Sequence, residues 1–235
     1  MAPALRFLLS NLLATADASR WNLFARGGVL SPGGMATVNP VATRSETNED
    51  VIMQLRLSHL ASPLGDMLLV TDAGEAIRAL DFADHRAHLH RLLREHYGST
   101  NLVDSQAPRR IADGLARYFA GELDALATLP TATAGSDLQQ RVWAALARIP
   151  VGTATTYGKL ARELGFTDPR AAIDIGVAIG ANPIAIVVPC HRVIASNGDL
   201  KGYAWGLHRK RWLLEHERAM APESEEPQTA MLPGF

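Results

Sequence analysis

Cysteine and histidine stand side by side in the segment "VPCHRV", where Cys190 is the only cysteine of the 235 residues. A free cysteine is usually a small, buried apolar residue, and that is the simplest interpretation. Three neighbours favour a reactive thiol instead. Pro189 fixes the backbone and contributes no amide donor, while His191 is a base near neutral pH. Arg192 adds a positive field that favours the thiolate, so the pattern indicates nucleophilic chemistry at sulfur.

The spacing of these residues limits how they cooperate. Residues 184–188, "IAIVV", form an apolar run that predicts a buried extended segment ending at the sulfur. Neighbours in an extended chain point to opposite faces, so His191 contacts Cys190 directly only if the chain turns, whereas action through one water molecule stays allowed. A third group must then orient the imidazole. The spacing leaves Glu215, Glu217 and Asp199 open for that role.

Composition restricts the class of protein. The chain is 47% hydrophobic and 20% charged with a net charge of −1, and no apolar run approaches the length of a membrane span. One cysteine excludes an internal disulfide and a structural zinc site of the usual kind, which predicts a reducing, cytoplasmic location. Between residues 136 and 218, eleven Lys and Arg outnumber seven Asp and Glu. This excess favours a polyanionic partner.

The elements that position this chemistry begin with strands. Three short apolar stretches, 55–60, 67–71 and 77–82, are separated by "SPLGD" and "DAGE" and predict antiparallel strands joined by tight turns. Two helices follow, in "HRAHLHRLLREHYG", which ends at Gly98, and in "APRRIADGLARYFAGE". Their predicted buried residues are Leu89, Leu92, Leu93, Ile111, Leu115, Tyr118 and Phe119.

The second half is predicted to be mostly helical. "SDLQQRVWAALARIPVG" begins at a Ser or Asp cap and stops at Pro150. "TTYGKLARELG" and "DPRAAIDIGVAIGAN" outline a helix-turn-helix, in which Gly165 ends the first helix, Asp168 caps the second and Pro169 opens it. The last helix, "GLHRKRWLLEHERAM", is predicted to turn Leu207, Leu214 and one side of Trp212 inward.

These elements predict an α+β fold with a small N-terminal antiparallel sheet with helices, followed by a mostly helical C-terminal part. We divide the chain into a poorly ordered extension (1–52), an N-terminal α/β domain (53–131), a C-terminal domain (132–219) and a flexible tail (220–235). Met53 is an alternative start.

Longer segments around the cysteine resemble one family. "VPCHRVIASNGDLKGYAWG", preceded by "ANP" and followed by "RKRWLLEHE", resembles the active-site region of the alkylguanine-DNA alkyltransferases, or methylated-DNA–protein-cysteine methyltransferases. "LQQRVWAALARIPVGTATTYGKLA" and "SPLGDMLLVTDAGEAIRALDF" are similar to the same family. The resemblance covers about residues 53–218. It implies a ribonuclease-H-like N-terminal domain and a winged-helix-like C-terminal domain that carries the helix-turn-helix.

The resemblance also implies a chemistry. Such proteins flip an O-6-alkylated guanine out of the duplex and move its alkyl group irreversibly to the cysteine, once per molecule. Cys190 would be the nucleophile, His191 its water-linked base and Glu217 the residue that orients the histidine. Asn182 would brace the active-site turn. Tyr157 would assist the leaving O-6 and help rotate the phosphate backbone. Tyr203 would form a wall of the base pocket. The further implied substrate- and DNA-binding residues are Arg170, Ala171, Ala172, Ile173, Pro189 and Val193.

Partners and alternatives follow from the same resemblance. It implies double-stranded DNA containing alkylated guanine as the partner, a monomer, no membrane, and neither cofactor nor metal; activity on O-4-alkylthymine stays open. The alternative is a protein that binds alkylated DNA with little or no transfer. Superfamily members that do so lack the cysteine, which disfavours that alternative. A transcription regulator is also disfavoured, because the first fifty residues contain no cysteine and are too short for a methyl-sensing module.

One position departs from the family pattern. After "PRAA" the family has an arginine that fills the gap left by the flipped base, whereas this chain has Ile173 followed by Asp174. Isoleucine can wedge between base steps but cannot hydrogen-bond the orphaned cytosine. We therefore expect slower DNA binding and repair than in a typical member.

Overall fold

The computed structural model describes residues 52–222 of the chain. The predicted extension before residue 53 and the predicted tail after residue 219 fall outside these residues except at their inner ends, and both stay predictions. Among the helices of the described part, none combines the length and the apolar character needed to cross a membrane.

The sheet has four strands: β1 (Met53–Leu60), β2 (Met67–Thr71), β3 (Ile77–Phe82) and β4 (Thr100–Asp104), in the order β3-β2-β1-β4. The first three pair antiparallel, as predicted, with Leu57 opposite Val70 and Leu69 opposite Leu80. The sheet also has a strand that was not predicted, β4, which pairs parallel with β1 and makes the sheet mixed. A parallel neighbour requires a crossover, and helix α1 (Arg86–Tyr97) supplies it.

Helices α1 and α2 (Arg109–Phe119) pack their apolar faces inward. The buried residues are Leu89, Leu92 and Leu93 in α1 and Ile111, Gly114, Leu115 and Tyr118 in α2. Gly98 ends α1 with a φ of 67°, a conformation that glycine adopts without steric cost. The predicted position and inward face of α1 are therefore confirmed.

Helix α3 (Asp137–Leu146) begins at a capping box. Ser136 accepts from the backbone of Gln139, whose side chain in turn accepts from the backbone of Ser136. The helix ends at Leu146, before the predicted stop at Pro150. It buries Trp143, and the indole Nε1 of that residue donates to the carbonyl of Ala178 at 2.9 Å, which joins α3 to the next helical pair.

That pair consists of α4 (Tyr157–Glu163) and α5 (Ala171–Gly180), which pack against each other. Gly165 follows α4 with a φ of 87°. The expectation that Asp168 caps α5 was wrong, since α5 begins at Ala171 with Arg170 as its N-cap. Asp168 instead accepts from the backbone of Arg170 at 2.9 Å and closes a separate turn ahead of the helix.

Helix α6 (Leu207–His216) buries Arg209, Lys210, Leu213 and Leu214. The prediction for Leu207 was wrong: its side chain is 48% exposed, because it begins the helix and lines a surface cleft. Trp212 is half-buried. Two short parallel strands, β5 (Thr155–Thr156) and β6 (Val193–Ile194), lie beside the segment that carries the cysteine.

The core lies on both faces of the sheet. A smaller cluster packs one face against α1, and it includes Leu55, Leu57, Leu68, Val70, Leu89 and Leu93. The larger cluster joins the other face to the helices, and it includes Met67, Leu80, Leu115, Trp143, Ile175, Ile184, Leu213 and Cys190. The cysteine therefore lies in the main core, and burial of each large apolar side chain there contributes about 1.5–3 kcal/mol. The domain boundary near residue 131 stays a prediction.

Candidate active site

Cys190 begins a single 3₁₀ turn, residues 190–192, directly after Pro189. Its thiol is free and the residue is 4% exposed. The prediction of an extended segment before it was wrong. Residues 184–188 are mostly buried, but only Ile184 bridges to β3, and Ile186 has a positive φ of 67°. The chain therefore turns where the sequence predicted an extended segment, because side-chain hydrogen bonds from a nearby residue satisfy its backbone groups.

Asn182 makes those hydrogen bonds. Its Nδ2 donates to the carbonyl of Val188 at 2.9 Å and to the Sγ of Cys190 at 3.2 Å. Its Oδ1 accepts from the backbone of Ile184 at 3.0 Å. The residue is 1% exposed, so these partners replace the water that its amide would otherwise bind. One side chain thus fixes both the turn and the sulfur.

The imidazole of His191 contacts the carboxylate of Glu217. Its Nε2 lies 3.1 Å from Oε1 of Glu217, and both side chains are fully buried. Because a carboxylate only accepts, Nε2 carries the proton and Nδ1 is the accepting nitrogen of a neutral ring. Nδ1 is buried and has no hydrogen-bond partner within residues 52–222. It is therefore the nitrogen available to receive a proton.

Glu217 was one of three carboxylates that the sequence left open, and it is the one that contacts the histidine. Asp199 instead pairs with Lys201 at 3.0 Å near the surface. Glu217 follows α6 directly, and its backbone N–H bonds to the carbonyl of Leu213 at 2.9 Å. The end of α6 therefore places the carboxylate behind the cysteine turn.

Arg192 also binds Glu217, and this departs from the role that the sequence suggested. Its Nε donates to Oε2 at 2.7 Å and its Nη2 to Oε1 at 2.8 Å, a two-pronged pair. A further donor bonds the carbonyl of Ile149 at 2.6 Å. The guanidinium charge is thus neutralised by a carboxylate instead of being directed at the thiol.

The electrostatics of this cluster follow from its burial. Burial alone raises the pKa of Glu217, but hydrogen bonds from His191 and Arg192 outweigh it and hold the pKa at about 2. Burial lowers the pKa of His191, although the bond to Glu217 opposes that effect. Glu217 is therefore ionised, and His191 is neutral at pH 7 and able to act as a base.

Burial raises the pKa of the Cys190 thiol to about 11, while the hydrogen bond from Asn182 and the charge of Lys210 act in the opposite direction. The thiol is therefore protonated at neutral pH and needs a proton acceptor to become a nucleophile.

Lys210 is a charged residue that the sequence analysis missed. It is fully buried in α6, where its Nζ donates to the carbonyl of Val193 at 2.7 Å and also to the carbonyls of Leu200 and Gly202. Burial lowers its pKa to about 8. The sequence does contain a signal for this buried position. Lys210 stands three residues before Leu213, which places the lysine on the apolar face of the helix.

A cavity of about 580 Å³ opens at the sulfur. It is lined by Tyr157, Ala172, Ile173, Gly176, Ile179, Gly180, Cys190, Gly202, Tyr203, Ala204 and Trp205. This volume lies in the usual range of small-ligand sites. Tyr203 presents a buried hydroxyl for which the described residues offer no partner. Burial raises the pKa of Tyr157 and of Tyr203, so both hydroxyls stay protonated donors at neutral pH.

The structure divides the predicted site residues into three groups. Tyr157, Ala172, Ile173, Cys190 and Tyr203 line the cavity, and Asn182, His191 and Glu217 are buried in the hydrogen-bond network of the cysteine turn. Arg170, Ala171, Pro189 and Val193 do not contribute to the lining. Arg170 is exposed ahead of α5, Ala171 and Pro189 are buried, and Val193 pairs with Thr155.

Trp205 is a cavity wall that sequence reasoning did not single out. It is fully buried, and its Nε1 donates to Oδ1 of Asp81 in β3 at 2.6 Å. Oδ2 of the same carboxylate lies 2.7 Å from Nδ1 of His88 in α1. The sheet and its crossover helix therefore hold one wall of the cavity.

The mouth of the cavity is bordered by an exposed apolar edge of α5. Ile173 and Val177, one helical turn apart, are each 69% exposed. Exposed basic residues lie nearby in sequence, at Lys159 and Arg162 in α4 and at Arg170. Asp174 is also exposed and adds the opposite charge.

Comparison with known proteins gives a consistent result. Residues 137–219 match the family described as 6-O-methylguanine DNA methyltransferase, DNA binding domain. The methylated-DNA–protein-cysteine methyltransferase of Salmonella typhimurium is 46% identical over 168 residues, which are 71% of this chain and 97% of that protein.

Two solved structures extend the similarity to the fold. OGT of Mycobacterium tuberculosis, solved in complex with DNA, superposes with a TM-score of 0.58 at 38% identity over 70% of this chain and 93% of that one. The O6-methylguanine-DNA methyltransferase of Pyrococcus kodakaraensis gives 0.54 at 25% identity, over 69% of this chain and 98% of that one.

Proposed function

Because this chain belongs to the family of methylated-DNA–protein-cysteine methyltransferases, we propose that it repairs double-stranded DNA by moving the alkyl group of O-6-alkylguanine onto Cys190. The observation that carries the proposal is the position of the sulfur. It lies at a cavity of about 580 Å³, with Asn182 holding it, and the next residue, His191, is paired with the buried carboxylate of Glu217.

The nucleophile is formed by proton transfer to the histidine. The thiol proton passes through one water molecule to Nδ1 of His191, the nitrogen that has no partner in the described part of the chain. Glu217 holds Nε2 and stabilises the resulting imidazolium. Since the pKa of the thiol is about 11, this transfer is the step that makes Cys190 reactive at neutral pH.

The transfer itself is a displacement at a saturated carbon. The thiolate of Cys190 attacks the alkyl carbon, the S–C bond forms, and the C–O6 bond breaks with its electron pair on the guanine oxygen. Tyr157 donates a hydrogen bond or a proton to the guanine as this charge develops, and its raised pKa keeps the hydroxyl protonated for that purpose. The products are a thioether and an unmodified guanine. The S–C bond of the thioether is stable to water and to thiols at neutral pH, so the alkyl group stays on Cys190 and each molecule reacts once.

DNA is bound on the side of the cavity mouth. Helices α4 and α5 act as the helix-turn-helix, Arg170 contacts the phosphates, and Ile173 wedges into the base stack when the alkylated base enters the cavity. Tyr203 and Trp205 line the part of the cavity that receives the flipped base. The protein acts as a monomer in the cytoplasm, a location that its free thiol supports.

The test is intact mass spectrometry after incubation with a duplex that carries one O-6-methylguanine, followed by peptide mapping. We expect the peptide that contains Cys190 to gain one methylene group, and Cys190→Ala to gain none. Cys190→Ala is a matched control because alanine is also small and apolar and lacks only the sulfur. If the duplex is bound but no mass is gained, transfer is excluded and the chain is an alkylated-DNA binding protein.

A further inference from the structure

A tyrosine outside the cavity also binds the carboxylate that holds the histidine. Tyr118 lies in α2, is fully buried, and donates from its hydroxyl to Oε1 of Glu217 at 2.8 Å. Its ring contacts His216 edge to face, and its own carbonyl lies 2.8 Å from Nε2 of His216. The ring contact and the backbone contact both involve His216, so the end of α6 fixes the position of Tyr118 beside Glu217.

The arrangement around Oε1 is crowded. That single oxygen receives Nη2 of Arg192 at 2.8 Å, the hydroxyl of Tyr118 at 2.8 Å and Nε2 of His191 at 3.1 Å. The contact to the histidine is the longest of the three. Each donor that bonds a carboxylate oxygen withdraws negative charge from it, so the three donors compete for one acceptor.

We propose that Tyr118 is a positioning residue for alkyl transfer: its hydroxyl bond to Glu217 limits how strongly Glu217 binds His191, and thereby tunes the histidine as a base for Cys190. This inference rests on the proposed function. Tyr118 acts through Glu217 and does not line the cavity.

The surrounding charges support this role. The titratable groups that act on the pair are Arg192 and Lys210, and Tyr118 bonds Glu217. Arg192 and Lys210 both oppose a positive charge on His191, so the balance depends on how much negative charge Glu217 presents. Burial and the nearby carboxylate raise the pKa of Tyr118 far above its usual value. Its hydroxyl therefore donates at every working pH.

Removal of the hydroxyl has a defined consequence. In Tyr118→Phe the ring stays, while Oε1 of Glu217 keeps only Arg192 and His191 as donors. The imidazolium form of His191 is then better stabilised, so its pKa rises. A base with a higher pKa is protonated over more of the acidic range but accepts a proton more readily once neutral. The pH profiles of variant and wild type should therefore cross.

The experiment follows methylation of Cys190 by methyl iodide between pH 5 and 9, together with the NMR titration of the His191 ring. In this reaction the sulfur bonds the methyl carbon, iodide leaves with the bonding electrons, and the thiol proton goes to His191. We expect Tyr118→Phe to move two midpoints to higher pH by about half a pH unit to one pH unit. They are the midpoint of the acidic limb of the rate profile and the midpoint of the NMR titration of His191. The matched control is Tyr97→Phe, whose hydroxyl donates to the carbonyl of Ala132, outside the site; it should leave both unchanged.

A second replacement protects the test against a folding defect. Fluorotyrosine at position 118 keeps the hydroxyl and makes it a stronger donor to Glu217. The acidic limb of the rate profile should therefore move to lower pH. Opposite shifts for the two replacements would support tuning through the hydrogen bond. An unchanged titration of His191 in both, or a rate that falls equally at every pH, would overturn the proposal and leave Tyr118 with a structural role only.

The probe separates this inference from the proposed function. Methyl iodide reports on the activation of the thiol without DNA. If the duplex with O-6-methylguanine gives no transfer while the methyl iodide profile shifts as expected, the proposed substrate is wrong and the tuning of His191 by Tyr118 stands. If the duplex is repaired and the profile does not shift, the reverse holds.

Discussion

The side-chain amide of Asn182 lies 3.2 Å from the sulfur of Cys190 and 2.9 Å from the carbonyl of Val188. The same nitrogen therefore supports the nucleophile and the turn that presents it. Because the residue is buried, any replacement that lacks this donor removes one hydrogen bond from the carbonyl of Val188 and the side-chain hydrogen bond from the sulfur, with no water to replace them. Geometry and reactivity at Cys190 are thus coupled through one side chain.

Asn182→Asp tests that coupling. The change keeps the size and the accepting oxygen but removes the donor and places a negative charge beside the sulfur. We expect the pKa of Cys190 to rise further and the rate of methyl transfer at pH 7 to fall at least about tenfold, since one pKa unit is a tenfold change in thiolate. Asn101→Asp adds the same charge at an exposed position of β4 and should react normally. Equal rates for the two variants would contradict the role given to Asn182.

Glu217 should make the stability of the protein depend on acidic pH. Its pKa is lowered from 4.5 to about 2, so its contribution is complete above about pH 4.5 and is lost as the pH falls toward 2. Glu217→Gln removes this contribution and leaves Arg192 buried without its charge partner. At pH 7 we expect the variant to lose about 3 kcal/mol of unfolding free energy. The difference from wild type should close between pH 5 and pH 2, as measured by denaturant unfolding at each pH.

The control for that measurement is Glu122→Gln. Glu122 also pairs with an arginine, Arg117, at 2.7 Å, but both side chains are more than half exposed. Because water screens an exposed pair of this kind, it contributes little to stability, so Glu122→Gln should lose far less than Glu217→Gln. A difference between wild type and Glu217→Gln that stays constant from pH 7 to pH 2 would show that ionisation of Glu217 is not what stabilises the fold.

Local patterns in the sequence predicted much of this fold, and long-range contacts explain what they missed. Strands β2 and β3 have the predicted bounds, because apolar stretches bounded by turn residues are local signals. Strand β4 was missed because the two apolar residues of "TNLVD" are adjacent, so its sequence lacks the alternation of a half-buried strand, and none of its residues is fully buried. The apolar run 184–188 was wrongly predicted as extended, because Asn182 satisfies its backbone groups from outside the run.

The candidate site divides in the same way. Resemblance to the family pointed to Asn182, His191 and Glu217, and the structure brings them together around Cys190. Tyr118 was predicted only as a core residue, because its hydroxyl meets a carboxylate 99 residues later in the chain. No spacing rule reaches across such a distance, since that contact depends on how α2 packs against the end of α6.

Asp81 should be needed for the wall of the cavity. Its buried carboxylate accepts from Nε1 of Trp205 at 2.6 Å and from the backbone of Phe82 at 2.7 Å, and it also meets His88. Both N–H donors bond Oδ1, so Asn at this position places its N–H₂ group against Nδ1 of His88 and removes the negative charge from all of these bonds. We therefore expect Asp81→Asn to lose about 1–3 kcal/mol of unfolding free energy and to change the tryptophan fluorescence of the folded protein. Asp104→Asn, exposed at the end of β4, serves as the control; matching stabilities would refute the importance of this bond.

Ile173 is the last position to test, because the fold leaves it exposed at the cavity mouth, where the family pattern has an arginine. An isoleucine can fill the space of a flipped base but cannot hydrogen-bond the cytosine left behind. Ile173→Arg should therefore speed methyl transfer from duplex DNA and leave the reaction with free O-6-methylguanine unchanged. The matched control is Val177→Arg, one turn further along α5 and equally exposed at 69%, which adds the same charge without reaching the same position. Single-turnover rates on both substrates decide between two explanations. If both variants accelerate the duplex reaction equally, the gain is general attraction to phosphate, and if neither does, the isoleucine is not what limits repair.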